Sequence, residues 1–129
     1  EAGIDVVRVP GGDRPSPRAA LVRAGRSRLS ADVSASGLRH PAAVVGLTGA
    51  GSMTGEVLTR SLDHIVRRHR GRTVELVLHP GRPDDPDRSR YAWGYRWGDE
   101  WRSTTDGSLV DACGRRKIRL VGPGDLEAP

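Results

Sequence analysis

Residues 54–79 read Thr54-Gly-Glu-Val-Leu-Thr-Arg-Ser-Leu-Asp-His-Ile-Val-Arg-Arg-His-Arg-Gly-Arg-Thr-Val-Glu-Leu-Val-Leu-His79, and this stretch decides the fold. Its first part has the period of an amphipathic helix, with Val57, Leu58, Leu62, Ile65 and Val66 marking one face. Thr54 is a candidate N-cap and Glu56 places a carboxylate in the first turn. Arg67, Arg68 and Arg70 then meet the carbonyl end before Gly71 stops the helix. From Thr73 to Leu78 the period changes. The run becomes almost continuously apolar, which suits a strand covered on both faces. A helix that feeds such a strand after a short turn is half of a crossover unit, so the sheet it serves is parallel.

The same alternation extends outward in both directions. Residues 4–9, 42–47 and 118–121 are also rich in Val, Ile or Leu and read as strands. A first helix opens at Ser16-Pro17, a capping hydroxyl followed by a proline at the first helical position. It carries Ala19, Ala20, Leu21 and Val22 and runs on to Ser36, where Gly37 closes it. A third helical region lies between Asp87 and Arg116. Its last turns place Leu109, Val110 and Cys113 on one side, after a capping Asp106, and Gly114 ends it. The order is β-α-β-α-β-α-β, an α/β chain with a parallel sheet, read as one segment over residues 1–129. Four strands with bare edges form an incomplete sheet unless other strands flank them.

Composition agrees with a core that is thin or shared. Leu, Ile, Val and Phe total 27 of 129 residues, close to the level where chains begin to stay disordered. Four of the five large aromatics crowd between Tyr91 and Trp97. No apolar run approaches the roughly 18 residues of a membrane span, and no signal peptide opens the chain. Cys113 is the only cysteine, which excludes a disulfide framework or a thiolate zinc site within one chain and favours a reducing, cytoplasmic setting. Position 1 is Glu1 rather than methionine, so the chain reads as an internal segment of a longer one. Net charge is +5, and Lys117 is the only lysine among 21 basic side chains. A basic balance admits a nucleic-acid partner, but a GC-rich coding bias produces the same arginine excess. The aromatics do not alternate with the basic clusters as a single-strand platform requires.

In parallel α/β folds the working groups sit at the carboxyl ends of the strands. That rule gathers Pro10 to Asp13, Thr48 and Gly49, His79 to Gly81, and Gly122 to Asp125 onto one face. The arginines of residues 67–72 and the basic residues 115–117 fall on the opposite face. His79 is the sharpest candidate: it ends an apolar run, Pro80-Gly81 bends the chain away behind it, and an imidazole there can trade a proton near neutral pH. The bland alternative is a histidine bonded to a neighbouring loop carbonyl. His40, His64 and His69 lie before a strand or at a helix and carry less. Asp84, Asp85 and Asp87 make a metal site or a solvated turn, without regular ligand spacing. Gly11-Gly12 and Gly49-x-Gly51 lack the Lys-Ser/Thr or dinucleotide spacing of phosphate loops. No nucleophile elbow occurs, and Cys113 sits inside a helix. The stretch Arg90-Tyr-Ala-Trp-Gly-Tyr-Arg-Trp-Gly-Asp-Glu100 offers flat aromatic faces beside charged groups, suited to stacking on sugar rings. Its alternative is a loop packed on the fold, with Arg96 and Glu100 as a helical i, i+4 pair.

These residues together resemble a family. Thr73-Val-Glu-Leu-Val-Leu-His79-Pro-Gly81, the Arg90–Glu100 stretch and a closing Ile118-Arg-Leu-Val are similar to the C-terminal half of YdjC-like carbohydrate deacetylases, the group of chitooligosaccharide and hopanoid-biosynthesis deacetylases. Gly3-Ile-Asp-Val-Val-Arg-Val-Pro10, the arginine-rich helix from Pro17, and Gly46-Leu47 followed by the helix led by Thr54 keep the family's order. The resemblance implies the C-terminal part of a (β/α) barrel-like fold and metal-dependent hydrolysis of an N-acetyl group on an amino sugar. It implies His79 as general acid to the leaving amine and Tyr91 and Trp93 as substrate-binding wall. It implies a divalent metal ion, Mg or Zn, held by residues absent here, because the family's early aspartates and upstream histidine ligands have no counterpart in this sequence; no metal ligand is assigned within it. The partners that follow are an N-acetylated sugar, the missing N-terminal half of the same enzyme and a second copy in a homodimer, with no membrane. The alternatives are a basic α/β module for nucleic acid and a non-catalytic fragment.

Overall fold

A computed structural model describes residues 3–9 and 17–126. The predicted cap at Ser16, the side chains Ala19 to Val22 and the loop from Pro10 to Asp13 lie outside what it describes. The chain is α/β: α1 (Pro17–Ala35), β1 (Ala43–Val45), α2 (Gly55–Arg68), β2 (Val74–Leu76), α3 (Trp97–Thr105) and α4 (Ser108–Arg115). β1 and β2 pair in parallel, Ala43 against Val74 through Val45 against Leu76, as the crossover through α2 requires. All three β1 residues are buried, the mark of a strand covered on both faces. β2 is only half-buried, and its Glu75 binds Arg8 through two guanidinium nitrogens.

The core lies between α2, α4 and the sheet. Met53, Leu58, Leu62, Ala112 and Cys113 are buried together, with Val57, Ile65, Leu76, Leu78, Leu109 and Ile118 packed around them. The apolar face predicted for α2 is therefore the one that packs, with Leu62 1% exposed. At α4 the face turns by one position. Leu109, Ala112 and Cys113 point inward at helical spacing, while Val110 is exposed. The helix also passes Gly114 and ends at Arg115. Lys117 takes the left-handed conformation (φ 56°), and Ile118 N–H returns to the Cys113 carbonyl at 3.0 Å, the closure usually given to glycine. The N-cap of α4 is Gly107, in the left-handed region, and not the expected Asp106; Asp106 ends α3 one residue earlier and accepts from the Ser108 N–H at 2.9 Å.

Two expected strands do not form. Residues 4–9 contribute a single parallel bridge, Val6 to Arg39, and residues 118–121 carry no regular structure and pair with no strand among the described residues, leaving Leu120 and Val121 exposed. A strand exists only as half of a ladder, and among the described residues neither segment lies along a complete one.

Candidate functional site

β1 and β2 run side by side, so the loops that follow them emerge together. One buried side chain holds the two loops in place. Glu100, on α3, is 0% exposed. Its Oε1 accepts the Met53 N–H at 2.9 Å and its Oε2 accepts the His79 N–H. A carboxylate buried away from water is costly unless donors satisfy it, and here two main-chain amides from separate loops do so. The Arg96–Glu100 pair, weighed above as part of the alternative reading of this stretch, does not form. Arg96 instead binds Asp99, Nε to Oδ2 at 2.7 Å, and Asp99 also pairs with Arg102. These two guanidinium bonds hold the Asp99 carboxyl below the usual range, Arg102 contributing most.

The aromatic stretch closes over the same loop ends. Gly51 N–Cα geometry is left-handed (φ +74°), and a Cβ there would lie 2.1 Å from the Tyr95 ring. Only glycine permits that approach. The Arg96 N–H donates to the Gly51 carbonyl at 2.7 Å, and the Gly81 N–H donates to the Trp97 carbonyl at 3.1 Å. Gly49-x-Gly51 thus seats an aromatic ring, and no phosphate cradle is needed to explain its Gly51.

His79 lies just past β2, with its ring 5.2 Å from Tyr95 at 69°, the edge-to-face arrangement the ring quadrupoles favour. Tyr95 continues to Trp97 at 4.8 Å and to Trp93 at 5.5 Å, and Trp93 to Tyr91 at 5.1 Å. Trp93 and Tyr91 are 59% and 51% exposed. The result is a stepped aromatic wall, seated at the histidine end and open to solvent at the other. His79 Nδ1 is buried and bonds no described group.

The other candidates separate from this place. His40 is fully occupied: Nδ1 lies 3.0 Å from the Pro41 carbonyl, so it carries the proton, and Nε2 accepts from Ser30 Oγ at 3.1 Å. His64 and His69 lie at the far end of α2, near the amino end of β2. Asp84 pairs with Arg82 at 2.8 Å, Asp85 accepts from the Asp87 N–H at 2.9 Å, and Asp87 pairs with Arg90 at 3.1 Å. All three are exposed, the solvated turn rather than a metal site. Among the described residues, no three His, Cys, Asp or Glu side chains are grouped to hold a metal ion. Cys113 is buried, and that burial raises its thiol pKa, which removes it as a nucleophile. No helix of the described residues is long and apolar enough to cross a membrane.

Glu100 is the residue that sequence reasoning missed. Its only sequence signal is an acid flanked by Trp97 and Trp101 in a helix that otherwise displays charge. Compared with family models, curated proteins and solved structures, the chain matches none.

Proposed function

We propose that this chain supplies the proton-donating histidine and part of the sugar-facing wall of a YdjC-like carbohydrate deacetylase with a barrel-like fold. One juxtaposition supports the reading above others. His79, uncommitted at Nδ1, stands at the carboxyl end of a parallel strand in ring contact with an aromatic wall whose outer members, Tyr91 and Trp93, are exposed. The substrate class is an N-acetylated amino sugar or its oligosaccharide. Its apolar ring face stacks on Trp93 and Tyr91, leaving the hydroxyls at the edge to water and polar groups.

The reaction is amide hydrolysis. Water adds to the acetyl carbonyl, the C–N bond breaks, and the leaving nitrogen takes a proton to depart as amine, with acetate as the other product. His79 is the donor in that step, since an imidazolium can give its proton to the nitrogen as the bond breaks. Tyr95 holds the ring and Glu100 holds the main chain beneath it. The divalent ion of the proposed class is expected on residues other than these, and no step here is routed through it.

Two measurements test the reading. Titrating the chain with N-acetylchitotriose should change tryptophan fluorescence with a millimolar midpoint, a binding energy of about −4 kcal/mol, and Trp93→Ala should abolish the change. In any longer polypeptide that carries this segment and deacetylates, His79→Ala should lower kcat by ~10²–10⁴-fold with KM little changed. Undiminished turnover removes His79 from the chemistry, and a fluorescence response that survives Trp93→Ala removes the wall from binding.

A further inference from the structure

The other end of β2 gathers positive charge that the described fold leaves unbalanced. Several exposed arginines elsewhere are paired, Arg60 with Glu56, Arg82 with Asp84, Arg90 with Asp87, and Arg96 and Arg102 with Asp99, while Arg28, Arg115 and Arg119 are exposed and in no ion pair among the described residues. Arg67, Arg68, Arg70 and Arg72 are exposed too, yet among the described residues none forms an ion pair. Asp63, one turn before Arg67, is engaged by Arg116 at 2.7 Å, a bond that also draws the basic end of α4 alongside α2. Arg26 comes in from α1, donating to the Ala42 carbonyl.

His69 stands in the middle of this charge. It caps α2, lies edge-on to His64 at 5.8 Å, and keeps a buried Nδ1 without a partner among the described residues. Burial lowers its pKa first, and the positive field of His64, Arg72, Arg26 and Arg68 lowers it further. Like charges held this close repel, and the arrangement is relieved when an anion is bound among them.

We propose that this face docks the sugar-phosphate backbone of a nucleic acid. Four exposed arginines fall within six consecutive residues, from the last turn of α2 through the turn into β2, and several separate cations suit successive phosphates better than one small ion. Guanidinium forks match phosphate oxygens in geometry as well as charge. Tyr91, Trp93, Tyr95 and Trp97 are all at the opposite end of β2, on the order of 20 Å away along the strand, so bases find no stacking surface here and binding is blind to sequence. The surface is separate from the aromatic wall and stands or falls independently of it.

The test is fluorescence anisotropy of a labelled DNA duplex of about 20 base pairs with the 129-residue chain, titrated at several salt concentrations. Neutralising about four phosphates predicts an affinity that falls roughly 100-fold between 50 and 200 mM salt. Arg68→Ala/Arg72→Ala should weaken binding and make the slope of log affinity against log salt shallower by about 2. The charge-matched Arg82→Ala/Arg102→Ala should leave that slope in place. All four side chains are exposed, and circular dichroism checks that both variants stay folded. Equal weakening by both variants overturns the proposal in favour of diffuse net charge. So does the absence of any complex at the lowest salt, full competition by millimolar inorganic phosphate, or tighter binding to anionic phosphatidylserine vesicles than to the duplex.

Discussion

Replacing Glu100 by glutamine changes one atom at the point where the two strand-end loops meet. The carboxylate accepts from Met53 N–H and His79 N–H, and the side chain is 0% exposed. In Glu100→Gln one acceptor becomes an NH2 group facing an N–H donor, so one amide is stranded in the interior. An unsatisfied buried N–H costs about 1–3 kcal/mol, and the surviving bond drops from a charged to a neutral acceptor, losing about 1 kcal/mol more. The expected loss is therefore about 2–4 kcal/mol, or a melting temperature lower by roughly 8–15 °C in a chain of this size. Thermal unfolding followed by circular dichroism measures it. Hydrogen exchange should show the Met53 or His79 amide, or both, exchanging faster than in the parent. A melting temperature within about 1 °C of the parent, with both amides still protected, would refute the account of Glu100 as the tie between the loops.

Gly51→Ala is expected to unseat Tyr95, because the new methyl would lie 2.1 Å from the ring and the backbone is at φ +74°. A left-handed alanine and a displaced ring together cost about 2–4 kcal/mol, read by denaturant unfolding and by loss of near-ultraviolet dichroism from the aromatic cluster. Asp63 gives a pH test. The Arg116 bond lowers its carboxyl below the ordinary 3.8, so its contribution to stability is complete above that value and is lost as pH falls through the depressed one. Asp63→Asn should thus melt below the parent at neutral pH and converge with it in acid. A gap that persists at the lowest pH points to a cause other than the charge.

Much of the architecture was legible because its causes are local. The α2 period, the arginines at its end and the apolar run of β2 lie within 26 consecutive residues, and the parallel pairing follows from the short crossover between strands. The α2 face was readable for the same reason. Residues 118–121 have strand composition but no neighbour to complete a ladder among the described residues, and composition does not supply one.

The site divides along the same line. Sequence alone placed His79 at a strand's carboxyl end and marked the 91–97 aromatics, because an apolar run and a cluster of rings are visible one residue at a time. What those residues touch was decided by tertiary structure. Glu100 had a plausible local partner in Arg96 one helical turn away, yet it binds amides 47 and 21 residues distant. Gly51 had a plausible role in a glycine loop, yet it is small because Tyr95 lies on it. A surface ion pair in water is worth about 1 kcal/mol or less, whereas two buried amides and a carboxylate left unpaired cost several times that. Burial decided the outcome, and burial is a property of the folded chain.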